Sequence, residues 1–449
     1  MVADPPLPLG RGAGGEVHKP TLDELRDRIA RVLARDRTAP APPPRQPTFL
    51  DLPFVREEKP SGPLDRLLRP TPLGHRVGAI PVWTAKTADP ALLALLALDP
   101  ELAGCDPKRA LYLDTETTGL SGGAGTVPFL VGLGFYDEEA GRFAVEQLLL
   151  RGLGDEAPIL EHLAERLERS SMIVTFNGKS FDMPLLRTRV VLNRVPKLPE
   201  PPHLDLVHVA RRLHKHRLET CALVSLEERL LGRQRVGDVS GADIAAIYHH
   251  YLRSGDEASL APIIEHNALD VISMFALVGL YGEPLDHGWA DGALAPSDIS
   301  AAAQVARRGG DLDRASEFAR ASVDRGAGAL GHRALADVAK ARGDKALALA
   351  EYERALELAR KAPEDLGAVA EAVRLELAKL YEHHARSYER AIAVVAEGTA
   401  EQPARRAARL ERLVKKRDKK PGSRARTKDT AAERLRLSAP AGWSKVRPP

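Results

Sequence analysis

Three apolar runs follow one another closely: RALYLDTETT from Arg109, TVPFLVGLGFYD from Thr126 and GRFAVEQLLLRG from Gly141, with the turn signals SGGAG and DEEAG at their junctions. Runs of this length bounded by glycine and acidic residues read as strands, and consecutive ones as an antiparallel meander. The next segment, APILEHLAERLER, changes to helical spacing; the strand MIVTF follows, and the chain is then mainly helical to Leu280. A meander followed by helix, strand and helices restricts this part to an α/β fold, a mixed five-stranded sheet with flanking helices.

Around that core the composition divides the chain. Residues 1–65 are rich in Pro, Gly and Arg, as in TAPAPPPRQP, and are expected to be mostly disordered because they bury too little apolar surface to offset chain entropy. Within them, residues 21–35 carry a capping-box pattern, Thr21 with Glu24, and an apolar stripe of Leu22, Leu25, Ile29, Val32 and Leu33. This reads as a helix docking on the main domain or on a partner. Residues 66–107 are an extension packing on the core, and 108–285 form the α/β domain. Residues 298–400 are Ala-rich and helical. The tail, 401–449, is expected to be disordered: from Arg405 it holds 16 Lys and Arg against 4 acids. Such a run is either solvated or in contact with a phosphate backbone.

The 298–400 region repeats itself. GDLDRASEFARASV from Gly310 returns as GDKALALAEYERAL from Gly343, 33 residues later, and SYERAIAVV from Ser387 echoes the second half after a longer interval. With Ala315, Ala348 and Ala391 at equivalent positions, the pattern resembles tetratricopeptide repeats, which implies a protein partner.

Composition excludes some function classes. Cys105 and Cys221 form no CxxC pattern, so neither a disulfide framework nor a structural zinc site is expected. The N-terminus lacks a charged start with an apolar run, and the longest apolar stretch, ALLALLAL from Ala91, is too short to span a bilayer. A soluble, cytoplasmic protein without a membrane partner is expected.

The chemistry is carried by acids. Asp114 and Glu116 are two apart on a strand and therefore share a face, with no cation between them. Asp182 ends NGKSFD after the strand at 172–176, either as a further ligand or as the N-cap of the following helix. His266 and Asp270 lie one helical turn apart in EHNALD. Asp205, in HLDL, reads best as a helix N-cap.

The stretch DTETTG resembles the first motif of the DEDD exonucleases, which have an RNase H-like fold. NGKSFD resembles their second motif and HNALD their third, with His266 in the position and spacing of the tyrosine-type members. HLDLVHVARRL, RLETCALVSLEERLLG, RVGDVSGADIAAIYHHYLRSGD and HNALDVISM look like the YprB-type RNase H-like proteins, over residues 66–285. The resemblance implies a metal-dependent 3′–5′ exonuclease acting on single-stranded DNA or RNA. Asp114, Glu116, Asp182 and Asp270 would hold two Mg²⁺ (or Mn²⁺) roughly 4 Å apart, with His266 as base. Thr117, Asn177 and Lys179 would touch nucleic acid. The alternative is a catalytically weak RNase H-like scaffold that recruits partners through its repeats.

Overall fold

The computed structural model describes residues 52–72, 74–119, 125–282, 285 and 293–419. The helix expected at 21–35 and the tail after 419 lie outside the described residues.

Seven strands form one mixed sheet: β1 (Val55–Lys59), β2 (Gly62–Thr71), β5 (Ala110–Thr117), β6 (Pro128–Asp137), β7 (Arg142–Leu149), β8 (Met172–Thr175) and β9 (His203–Asp205). β3 (Arg76–Val77) and β4 (Ile80–Pro81) pair as a separate ribbon. The spatial order is β1-β2-β7-β6-β5-β8-β9. The meander β5-β6-β7 is antiparallel as expected, while β8 and β9 add in parallel. Strands β5–β8 were foreseen at their positions; a fifth strand was expected without being placed, and β9, β1 and β2 were not read from the sequence. Residues 55–65 belong to this hairpin rather than to a disordered region; β1 is the sheet edge, and β2 runs on past it into the extension, with Leu67 opposite Gln147. A Pro-containing segment can serve at an edge, where one side of the ladder needs no donor.

Alternation along β5 sorts its residues between two cores. Ala110 and Tyr112 enter one face with Val174 and Leu204, whereas Leu111 and Leu113 enter the other with Ile173. The first face is covered by α6 (Ala261–Tyr281), whose Val271, Met274 and Phe275 join that core; Phe275 meets Tyr112 edge-on with centroids 4.6 Å apart. The second carries α2 (Ala157–Arg169), α3 (Asp182–Leu192) and α5 (Gly241–Ser254).

The stretch Glu257–Tyr281 is long and apolar enough to cross a membrane, and most of its apolar part is buried within the protein. It sits unusually close to β6 because two strand residues lack side chains. A Cβ on Gly132 would lie 2.3 Å from Asn267 Oδ1, and one on Gly134 would lie 2.5 Å from Val271 Cγ1. The apolar run ALLALLAL forms α1 (Pro90–Ala97), capped by Asp89 and buried through Leu92, Leu93 and Leu96.

After α4 (Leu206–His214) and the irregular segment around 215–240, the chain passes through α5 and α6 into an all-helical region. It comprises α7 (Pro296–Gly309), α8 (Leu312–Asp324), α9 (Ala329–Ala341), α10 (Lys345–Arg360), α11 (Pro363–His383), α12 (Tyr388–Ala396) and α13 (Pro403–Lys419). Asp311 and Asp344 cap α8 and α10 identically, each accepting a backbone N–H at 2.9 Å. Ala315, Ala348 and Ala391 are all fully buried. The longer second interval has a simple origin: α11 has 21 residues against 13 for α9.

Residues 403–419 correct the expectation of a disordered tail from 401. Several of their basic side chains are partnered: Arg412 Nε and Lys416 Nζ reach Glu382 Oε1 at 2.9 and 2.8 Å, and Arg409 reaches Glu401 at 2.7 Å, while Leu413 is fully buried. The cations around Glu382, Arg412 first, hold its carboxyl down at about 2. The helical region is tied to the α/β part at the start of α7, where Asp298 pairs with Arg217 at 2.6 Å.

Candidate active site

Asp114 and Glu116 occupy the C-terminal half of β5, on the face that α6 covers, and a register shift follows Glu116. Asp182 begins α3, and Asp270 and His266 project from α6. The fold therefore brings together the five residues that sequence reading assigned to catalysis. Glu116 and Asp182 are buried, and His266 Nε2 stands 3.9 Å from Glu116 Oε1 and 3.8 Å from Asp270 Oδ2.

The electrostatics follow from burying like charges. Burial, reinforced by Asp270, Glu116 and Asp182, raises the Asp114 carboxyl well above the usual range. Glu116 is pushed up to about 7 by burial, with His266 opposing and Asp270 and Asp182 adding repulsion. Burial lifts Asp182 to about 6 despite the hydrogen bond from Thr115. Asp270 is also raised by burial, against the pull of Arg235 and His266. Four carboxyls that disfavour one another's ionisation are a hard-oxygen set whose repulsion a divalent cation relieves.

Three of the four carboxylates have a protein donor. Asn267 Nδ2 donates to Asp114 Oδ2 at 2.9 Å, Thr115 Oγ1 donates to Asp182, and Arg235 Nη2 donates to Asp270. Among the described residues, no three carboxylate, imidazole or thiol groups are closed around one point as a ready-made ligand shell. The donor chemistry fits Mg²⁺ or Mn²⁺, and the residues that could hold it are Asp114, Glu116, Asp182 and Asp270.

Four residues that sequence reading missed organise this centre. Arg235 is nearly fully buried and spans three acids: its Nε meets Glu227 Oε2 at 2.6 Å, its Nη1 meets Asp238 Oδ2 at 3.0 Å, and its Nη2 meets Asp270. Asp238 Oδ1 accepts from His266 Nδ1 at 2.7 Å. That contact puts the ring proton on Nδ1 and leaves Nε2 as the acceptor facing Glu116 and Asp270. Asn267 ties α6 to β5 and β7: its Nδ2 also donates to Asp114 O at 3.4 Å, and its Oδ1 accepts from Gln147 Nε2 at 2.9 Å. The available signals were RVGD, with Arg235 and Asp238 three apart in a glycine loop, and Asn267 directly after His266.

The remaining assigned residues lie around the rim. Thr117 Oγ1 donates to Gly119 O at 2.9 Å and shapes the turn after β5. Asn177 adopts a positive φ of 69°, which asparagine tolerates better than most residues. Lys179 Nζ lies 3.5 Å from Asp99 Oδ2, apart from the carboxylate cluster. Asp205 is the helix cap that its position suggested, and it does more. It accepts Val207 N–H at 3.2 Å for α4, and Asn177 N–H at 2.8 Å and Lys179 N–H at 3.0 Å from the loop leading to Asp182. Asp205→Ala is expected to destabilise the protein by about 2–3 kcal/mol, from a lost cap plus orphaned amides. Urea unfolding checks the size, and a cost below about 0.5 kcal/mol contradicts it.

Residues 111–281 match the family model described as RNase H superfamily. This part of the chain has an RNase H-like fold. Over 217 residues the chain is also 35% identical to a Bacillus subtilis (strain 168) protein named "Uncharacterized protein YprB", covering 46% of this chain and 50% of that protein. The chain thus spans about half the length of the curated relative it matches. The acids and His266 all fall inside the RNase H-like domain, while the helices from α7 onward lie beyond it.

Proposed function

We propose that the protein is a metal-dependent nuclease that removes nucleotides from the 3′ end of single-stranded DNA or RNA. The observation that carries this reading is the convergence of Asp114, Glu116, Asp182 and Asp270, mutually repelling, beside an oriented histidine at one end of an RNase H-like sheet. Bound by these four carboxylates, two Mg²⁺ or Mn²⁺ would supply a low-pKa water and offset charge on the leaving oxygen. His266 Nε2 accepts the proton of the attacking water, and Asp238 steadies the resulting imidazolium through Nδ1. Arg235 keeps Asp238 and Asp270 in place. Lys179 and Asn177, on the loop before Asp182, meet the strand's phosphates. The helical hairpins act as tetratricopeptide-like repeats, a reading supported by the shared caps and buried alanines.

Incubation of end-labelled single-stranded DNA and RNA with Mg²⁺, Mn²⁺ or chelator tests the proposal. A ladder shortening from the 3′ end only with metal is expected, and no cleavage of either polymer sinks it. His266→Ala should cleave about 10² to 10⁴ slower in single turnover while retaining metal binding, and His266→Tyr should recover part of the loss. Wild-type rates in the alanine variant remove His266 from catalysis. A second reading, a weakly catalytic nucleic-acid scaffold, is favoured by Arg235 and Asn267 already engaging Asp270 and Asp114. Binding without cleavage in the same assay selects it.

A further inference from the structure

A groove of about 760 Å³ runs along the helical region, walled by α7, α9 and α11 and closed at one end by Arg212 and His216 from the α/β part. Arg212, Arg307, Arg308, Arg333 and Lys340 line it against the acids Asp337 and Glu376. Both acids are engaged. Asp337 accepts from Gln304 Nε2 at 2.7 Å and from the Tyr352 hydroxyl, while Glu376 pairs with Lys379 at 2.6 Å and with Lys340. Arg307 donates to Gln304 at 3.2 Å, and Arg212 reaches only a backbone oxygen, Leu96 O, at 3.4 Å. Arg212 and Arg308 both line the groove, and among the described residues neither is ion-paired with a carboxylate; burial and then Arg308's charge lower the Arg212 guanidinium. The groove therefore has cationic capacity that the protein itself does not use.

Its position connects it to the carboxylates. Arg212 also lines a smaller pocket of about 230 Å³ with Lys179, Asp205 and His208. Asp205 holds the loop that leads to Asp182. His208, Arg212 and His216 are spaced four apart along α4 and the turn after it, so they mark one stripe. Nine residues of helix cover about 13 Å. We propose that the single strand leaves the carboxylate site along this stripe and lies in the groove, held by its phosphates; this rests on the nuclease reading. Among the described residues no Phe, Tyr or Trp lines the groove, so the grip is electrostatic and indifferent to sequence.

The test is fluorescence anisotropy on the full chain in chelator, using labelled single strands of about 4 and about 16 nucleotides, the span of single-strand site sizes. Wild type should bind the longer strand more tightly. In Arg212→Gln/Arg308→Gln, and in Arg308→Glu alone at an exposed position, that length advantage should shrink about tenfold. The slope of log affinity against log salt should fall by about 1.4 for two lost phosphate contacts. An unchanged slope in both variants overturns the groove assignment. So does loss of polyglutamate binding with strand affinity retained, which would make the occupant an acidic polypeptide. Hydrolysis of the short strand by wild type with Mg²⁺ reads the nuclease proposal separately. If hydrolysis fails while the salt slope still drops, the groove stands and the catalytic reading falls.

Discussion

Asp114→Asn lowers the single-turnover cleavage rate by about 10³-fold or more, the loss expected when one pre-organised charge is removed from the transition state. The same substitution raises the melting midpoint in chelator, and the sign follows from linkage. Glu116 is raised to about 7 and Asp182 to about 6, both above their usual values, so the native state binds more protons than the unfolded chain between about pH 4.5 and 7. Their contribution to stability is lost as pH rises through that window. Glu146, Asp298 and Glu382, each held at about 2, act in the opposite sense and at lower pH. Asparagine at 114 removes one repelling charge, so the variant's melting midpoint should fall less than wild type's from pH 4.5 to 8. Added Mg²⁺ should raise the wild-type midpoint more than the variant's. Thermal melts with and without Mg²⁺ decide this; identical pH profiles and unaltered cleavage would contradict the carboxylate assignment.

Arg235→Ala destabilises the protein by about 3–5 kcal/mol, because it leaves Glu227, Asp238 and Asp270 without their shared cation. Glu227 suffers most. It is fully buried, and Ser273 Oγ is then its remaining side-chain donor among the described residues. Arg235→Lys keeps the charge but loses the planar fork that spans three acids, so it should fall between the two. His266 also loses the fixed position of Asp238, and the rate should drop even at temperatures where the variant is folded. Urea unfolding measures the first effect and single-turnover cleavage the second. A cost below about 1 kcal/mol would show that Arg235 does not hold the centre together.

Much of the candidate site is local and therefore legible in the sequence. The period of two places Asp114 and Glu116 on the face of Ala110 and Tyr112, and the helical turn places His266 with Asp270; neither depends on distant residues. The same holds for the 33-residue repeat, whose Asp311 and Asp344 cap their own helices. The sheet edge was hidden because the composition of residues 55–65 is that of a loop, and its strand character comes from the hairpin with β2, which itself pairs with β7 about 80 residues away. The helix at 403–419 was hidden because its charge suggests solvation until Glu382 and Glu401 neutralise it.

The sequence by itself determined strands β5–β8, the helical hairpins and the identity of the acids, because these depend on patterns within about ten residues. Only the tertiary structure decided which cation serves which acid. Arg235 lies 35 residues from Asp270, and Asn267 lies 153 from Asp114. It also decided that glycines at 132 and 134 let α6 approach the sheet, and that Arg212 and Arg308 meet in one groove. Ion-pair partners and close approaches are set by how the chain closes on itself, and no local period encodes that closure.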